Sequence, residues 1–144
     1  MKKINHRLME NNITKADVNF LIKFLKKYPI LTQSKQVKKF ENEWSKWLGV
    51  KYSTYVNSGS SANFISISAL KYLNKNKNKN EIIVPPLTWV SDVNSIILNG
   101  FKPVFVDINL TNLSLNIEKT IKKISKKTLA IFITHAQGFN GLNK

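Results

Sequence analysis

The chain has 144 residues, 42% of them hydrophobic, so it has the length of about one domain and is not a disordered polar segment. It contains no cysteine, which excludes a disulfide framework and a thiolate metal site, and no apolar run approaches the roughly 20 residues of a membrane span. The formal net charge of +15 comes from lysines spread over predicted helix faces and loops, with a single arginine, Arg7, so nucleic-acid binding is not favoured.

Two amphipathic helices are predicted at the start of the chain. Thr14 and Asp17 resemble a capping box that opens the first helix, and Pro29 ends it. The second helix runs from about Ser34 to Leu48 and carries two tryptophans on its apolar side. At helical spacing, these tryptophans are interpreted as core or interface residues rather than as a ligand platform.

The next stretch combines three elements that together favour an anion site. Aromatic and β-branched residues predict a buried strand over Tyr52–Val56, followed by a small polar loop and a helix from about Ala62. Free N–H groups and the dipole of such a helix point at the loop. Gly59 allows close approach to the main chain, and Ser60 and Ser61 add hydroxyl donors. The loop is therefore a candidate phosphate site, and the alternative is an ordinary turn with a serine N-cap.

Further strands and helices alternate along the rest of the chain. Apolar strands alternating with helices predict an α/β fold with a mostly parallel sheet and helices on both faces, preceded by the two lead-in helices. Ligands bind such sheets at the carboxyl ends of the strands. The predicted strands are Glu81–Val84, Pro103–Asp107 and Thr128–Thr134, and the predicted helices run from Thr88 to Gly100 and over Asn116–Lys123.

Other site patterns are weak or missing. The only histidines are His6 and His135, so no cluster has metal-ligand spacing and no metal is expected. Neither a GxGxxG nor a GKS/T motif is present, which leaves a dinucleotide fingerprint and a P-loop without support. Asp107 ends a strand and is a possible general base, but a structural role in the following loop is the favoured interpretation.

Three segments, taken in order, resemble a known family. FENEWSKWLGVKYSTYVNSGSSAN, EIIVPPLTWVSDVNSIILNGFKPVFVDIN and LAIFITHAQG are similar to the DegT/DnrJ/StrS-like sugar-nucleotide aminotransferases, which are fold type I pyridoxal-phosphate (PLP) enzymes. The resemblance covers about Leu31 to Gly138. It implies the N-terminal portion of a PLP-dependent transferase large domain, with residues 1–33 as an N-terminal helix and linker and residues 34–144 as the partial PLP-binding domain.

The resemblance assigns cofactor contacts at matching positions. The SGSS loop matches the family's phosphate-binding loop, which implicates Gly59, Ser60 and Ser61. Trp89 matches the aromatic residue that stacks on the pyridine ring, and the alternative for it is helix-start packing. His135 matches a histidine at the end of a strand, where it contacts cofactor or substrate or is a hydrogen-bonded structural residue.

The family's two central catalytic residues have no match in this chain. The lysine that forms the Schiff base with PLP and the aspartate that pairs with the pyridinium nitrogen follow the segment matching Ile131–Gly138, and the chain ends at Lys144. No catalytic residue is therefore assigned, and whether this chain is an enzyme by itself stays open. The resemblance implies a C-terminally truncated family member.

The resemblance implies amino transfer from an amino acid, such as glutamate, to a nucleotide-linked keto-sugar in cell-surface polysaccharide or amino-sugar biosynthesis. Ser61 and Asn63 look more like the family's sugar 3-dehydratase branch, which is the alternative reaction. A non-catalytic truncated member and a basic nucleic-acid-binding module are the remaining readings. The expected setting is cytoplasmic, since no signal peptide is recognisable, with a homodimer for the full-length protein and no membrane span.

Overall fold

The computed structural model describes residues 11–142. They fall into two compact units that divide between Tyr55 and Val56, and each unit is described by itself. The boundary predicted from sequence at residue 33 stays a prediction. The elements in chain order are α1 (Lys15–Leu25), α2 (Lys35–Leu48), α3 (Gly59–Leu73), β1 (Glu81–Val84), α4 (Val90–Leu98), β2 (Lys102–Phe105), α5 (Ile117–Lys123) and β3 (Thr128–Ile131), followed by a 3₁₀ turn (Ala136–Gly138).

The first unit consists of α1, α2 and the segment that follows them. The capping box of α1 is confirmed, because the Thr14 N–H donates to Asp17 Oδ2 at 2.8 Å and the Asp17 N–H donates to Thr14 Oγ1 at 3.3 Å. The Thr14 hydroxyl, which donates to Asp17 Oδ2 at 2.7 Å, and then the Thr14 N–H hold the pKa of the Asp17 carboxyl below its ordinary value. Helix α2 ends at Gly49, whose φ of 74° is the left-handed conformation typical of a helix C-terminus.

The predicted parallel sheet is confirmed in the second unit. It has three strands in the order β2-β1-β3, and both neighbours of β1 run parallel to it. Successive side chains of the central strand β1 point to opposite faces of the sheet, so the strand contributes to a core on each face. Ile82 and Val84 form one core with Ile67 of α3 and Ile96 of α4.

The opposite face of β1 is covered by different residues. Ile83 is fully buried there against Val106 and Leu115, which precedes α5. Helices α3 and α4 therefore cover one face of the parallel sheet, and Val106 and Leu115, which lie outside the helices, cover the other at Ile83. The carboxyl ends of all three strands lie on one edge.

The prediction of a buried strand over Tyr52–Val56 is wrong. This segment is irregular, Tyr52 and Tyr55 are 79% and 57% exposed, and no strand of the described part of the chain pairs with it. The Tyr55 N–H donates instead to the Glu41 carboxylate at 2.9 Å. A β-pattern specifies a strand only where a neighbouring strand supplies ladder hydrogen bonds.

Several other boundaries shift by one to three residues, including those of β2, which is Lys102–Phe105 and not Pro103–Asp107, and of α4, which is Val90–Leu98. Helix α3 begins at Gly59, three residues earlier than predicted, and β3 ends at Ile131 rather than at Thr134. Among residues 11–142, no helix is long and apolar enough to cross a membrane.

Candidate functional site

The N-terminus of α3 presents unpaired donors at its first turn. Ser58 is the N-cap, and its Oγ accepts from the Ser61 N–H at 3.2 Å. The N–H groups of Gly59 and Ser60 are the next two along the chain, and they have no acceptor within residues 11–142. The helix therefore begins with two free N–H groups and the positive end of its dipole.

Space for a ligand is present beside these donors. A methyl group built on Gly59 would meet nothing within 4 Å, and the φ of Gly59 lies outside the left-handed region. Ser60 is exposed, and its hydroxyl bonds to no other described residue. The free N–H groups, the hydroxyl and the open space match what an oxyanion needs.

Trp89 is the N-cap of α4, on the loop that follows the central strand. Its side chain makes no capping bond, and its indole is 71% exposed. Leu87 and Val90 on either side are also exposed. Helix-start packing therefore does not hold the ring within this unit, which leaves the ring face free for a planar ligand.

His135 lies beyond the end of β3, where the chain turns. Its Nδ1 accepts from the Gly141 N–H at 3.0 Å, across a turn in which Gln137 and Gly138 both have positive φ. In the neutral imidazole this acceptor role at Nδ1 leaves the proton on Nε2. His135 thus presents a donor at Nε2, in keeping with both roles that the sequence left open.

A buried carboxylate that the sequence analysis did not select joins these segments. Asp92 is 5% exposed, and its Oδ1 accepts from Asn63 Nδ2 at 2.6 Å. Its Oδ2 accepts from the Thr88 hydroxyl, which lies 2.6 Å from the Thr134 hydroxyl. The sequence held one indication that Asp92 is buried: it shares a helical face with the apolar Ile96, four residues later, which is itself buried.

Asp107 has structural partners. Its carboxylate accepts from the Lys119 ammonium at 2.6 Å and from the Ile108 N–H at 2.9 Å, and its backbone carbonyl accepts from the Asn116 N–H at 2.9 Å. The Lys119 hydrogen bond is the largest of the effects that hold the Asp107 pKa below its ordinary value. These contacts shape the loop between β2 and α5, as the favoured interpretation holds.

The loop before α3, Trp89 and His135 are connected through residues next to them in sequence, not by direct hydrogen bonds. No hydrogen bond of the described chain joins Ser60 or Ser61 to Trp89 or His135. Asn63, Thr88 and Thr134 meet at Asp92 instead. Within residues 11–142 no group of three or more histidines or acids could hold a metal ion.

The amino-acid sequence of this chain is similar to those of a known protein family. The model of the DegT/DnrJ/EryC1/StrS aminotransferase family matches residues 11–140. GDP-perosamine synthase of Vibrio cholerae is 35% identical over 109 residues, which cover 76% of this chain and 29% of that protein. GDP-4-keto-6-deoxy-D-mannose 3-dehydratase of Yersinia pseudotuberculosis is 34% identical over 111 residues, covering 76% of this chain and 28% of that protein.

Solved structures have the same fold. The crystal structure of a GDP-4-keto-6-deoxymannose-3-dehydratase with a trapped PLP-glutamate geminal diamine aligns with a TM-score of 0.80 at 30% identity, over 90% of this chain and 34% of that one. Helicobacter pylori PseC, an aminotransferase of pseudoaminic acid biosynthesis, aligns at 0.71 and 28%, over 83% and 31%. The chain thus spans about a third of the length of its relatives. It belongs to the DegT/DnrJ/EryC1/StrS aminotransferase family.

Proposed function

We propose that this chain is the N-terminal part of a PLP-dependent aminotransferase that acts on a nucleotide-linked keto-sugar, with an amino acid as the amino donor. The observation that carries the proposal is the first turn of α3, where two free N–H groups and the Ser60 hydroxyl surround open space. A phosphate monoester carries a negative charge that this donor set can bind. The comparisons support the cofactor, because a related structure holds a PLP-glutamate adduct.

In this proposal each predicted site residue contacts the cofactor or the substrate. Gly59 and Ser60 donate backbone hydrogen bonds to the cofactor phosphate, and the hydroxyls of Ser60 and Ser61 add to them. The exposed Trp89 ring lies against the pyridine ring and excludes water from one face. His135 donates through Nε2 to cofactor or substrate. When bound, PLP supplies an electron sink for chemistry at the amino-bearing carbon.

Binding of PLP to the 144-residue chain tests the phosphate site. Equilibrium dialysis should show binding that inorganic phosphate competes away. The double change Ser60→Ala and Ser61→Ala should weaken it by roughly tenfold or more, because two hydrogen bonds to a charged group are lost. Ser66→Ala on the exposed side of the same helix is the matched control and should bind like the wild type. Unchanged affinity in the double variant would contradict the proposal.

The 3-dehydratase reaction is the second candidate, and the Asn63 side chain favours it. Asn63 is partly buried and its side chain donates to Asp92, so its position is fixed by contacts within the fold rather than free at the surface. The identities to the synthase and to the dehydratase, 35% and 34%, do not separate the two reactions. The coding DNA after Lys144 is the decisive reading: a lysine at the family's Schiff-base position supports amino transfer, and a histidine there supports the dehydratase.

The remaining parts of the proposal concern the protein's setting. We place residues 1–33 as an N-terminal helix and linker and residues 34–144 in the cofactor domain of a cytoplasmic homodimer. We expect no amino-transfer turnover from the 144-residue chain alone, because none of its lysines lies in a motif that matches the Schiff-base position. Sustained transfer by the purified chain would contradict this expectation.

A further inference from the structure

Asp92 lies where the three segments with proposed cofactor contacts meet. Its Oδ1 accepts from Asn63 on α3, and its Oδ2 accepts from Thr88 on the loop after β1. The Thr134 hydroxyl, beyond β3, lies 3.4 Å from Oδ2 and 2.6 Å from the Thr88 hydroxyl. The carboxylate therefore binds Asn63 and Thr88 directly and Thr134 chiefly through Thr88, which joins three separate parts of the second unit.

Each of these partners is close in sequence to a residue of the proposed site. Asn63 lies two residues after Ser61, within the first turns of α3. Thr88 directly precedes Trp89, and Thr134 directly precedes His135. Because neighbouring residues share a peptide bond or a helical turn, fixing the partner restricts the position of the site residue beside it.

The donors and acceptors of this cluster form one consistent chain. A carboxylate only accepts, and each threonine hydroxyl has a single proton. Thr88 gives its proton to Asp92, so the Thr134 hydroxyl is the donor toward Thr88. Asn63 donates to the other carboxylate oxygen. Asp92→Ala would remove the acceptor of both Asn63 and Thr88, and at 5% exposure water cannot compensate.

We propose that Asp92 is a positioning residue that sets the mutual geometry of the Ser58–Ser61 turn, Trp89 and His135. The part of this inference that concerns the cofactor rests on the proposed function. Asp92 touches no reacting atom in this proposal, and it acts through Asn63, Thr88 and Thr134. A carboxylate that only stabilised the start of α4 through the helix dipole would affect the stability of that helix and not couple three segments.

Amide hydrogen exchange of the 144-residue chain tests the positioning role without any ligand. In Asp92→Ala, the hydrogen-bonded amides of the three segments should exchange about tenfold faster, as expected when a buried hydrogen-bond network opens locally. These are the amides of residues 61, 62, 92, 138, 139 and 141. Amides of β1 should keep their protection. Asp107→Asn, an exposed aspartate paired with Lys119, is the matched control and should leave all three segments unchanged.

A conservative variant separates the hydrogen bonds of Asp92 from its charge. Asp92→Asn keeps an acceptor for Thr88, and Asn63 can turn its amide so that its oxygen accepts from the new amide donor. The exchange rates of Asp92→Asn should therefore stay close to those of the wild type. If Asp92→Ala leaves the segments unchanged, if β1 loses protection equally, or if Asp92→Asn exchanges as fast as Asp92→Ala, the inference is overturned.

Thr88→Val is the second test variant and is used if Asp92→Ala does not fold. Thr88→Val removes the hydroxyl that connects Oδ2 with Thr134 and leaves the Asn63 bond in place. It should loosen the segments at Trp89 and His135 and leave the first turn of α3 protected. Equal loosening of all three segments, or of none, contradicts the proposed network.

PLP affinity then distinguishes the inference from the proposed function. Where the wild type binds PLP, Asp92→Ala should weaken binding about tenfold, as for other residues that orient ligand-contacting groups, and Asp92→Asn should retain it. Unchanged affinity overturns the cofactor part of the inference. If the wild type binds no PLP while the exchange pattern holds, the proposed function fails and the positioning role stands.

Discussion

The Gly141 N–H donates to Nδ1 of His135 at 3.0 Å, and this bond closes the turn that follows β3. A backbone N–H can only donate, so the ring atom that faces it must be an acceptor. The neutral ring consequently carries its proton on Nε2. The turn therefore holds the imidazole with its donor nitrogen on the side opposite to Gly141.

Two substitutions of His135 separate the tasks of its nitrogens. Asn offers an acceptor near the place of Nδ1, while Gln reaches toward the place of Nε2. We expect His135→Asn to retain a slow-exchanging Gly141 amide and His135→Gln to lose it, and hydrogen exchange measures both. Equal protection in the two variants would show that the Nδ1 bond does not hold the turn.

Gly141 also lies against a fully buried side chain. A Cβ at this position would overlap Ser114 Oγ and lie 2.9 Å from Ser114 Cβ. Because Ser114 is 0% exposed, its side chain has no room to move. Gly141→Ala should lower the free energy of unfolding by about 1–3 kcal/mol, the usual cost of overpacking, as measured by denaturant unfolding. Wild-type stability in this variant would mean that the turn relaxes freely.

Gly59 is the contrasting glycine. A Cβ there meets nothing within 4 Å, and the residue is the first of α3. Gly59→Ala should leave stability unchanged or raise it by up to about 1 kcal/mol, because alanine favours a helix. The same methyl group occupies the space proposed for phosphate, so PLP affinity should fall. A variant with unchanged stability and unchanged PLP affinity would place the phosphate elsewhere.

Local motifs of the sequence were the most predictable part of this fold. Thr14 with Asp17, and Gly49 after α2, act over a few residues, so their geometry depends little on the rest of the chain. The strand Glu81–Val84 was predictable because a short apolar run before two prolines is typical of a buried strand. Of these elements, the strand Glu81–Val84 leads into the loop that carries Trp89.

Features that depend on distant partners were not predictable in the same way. Tyr52–Val56 has the composition of a strand, but the structure gives it a side-chain acceptor, Glu41, in place of a strand partner. Asp92 was missed because its partners Asn63 and Thr134 lie 29 and 42 residues away in sequence. Neither spacing corresponds to a local motif, so only the folded arrangement shows the contact.

The Asp107–Lys119 pair makes a prediction about pH. The folded-state pKa of Asp107 lies below its ordinary value of 3.8, chiefly because Lys119 hydrogen-bonds to the carboxylate. A lowered pKa means that the ionised form favours the folded state, so this contribution is present above pH 3.8 and is lost as the pH falls through the folded value. Both side chains are more than half exposed, at 56% and 62%, so the effect is small and screened by salt.

Thermal unfolding of Asp107→Asn, Lys119→Met and the double variant tests this pair. At neutral pH and low salt, each single change should lower the midpoint slightly, and the double change should cost less than their sum. The coupling should vanish at a pH well below 3.8, where the carboxylate is protonated, and shrink in about 1 M salt. Coupling that persists at low pH would show that packing of the lysine stem, rather than charge, joins α5 to the loop after β2.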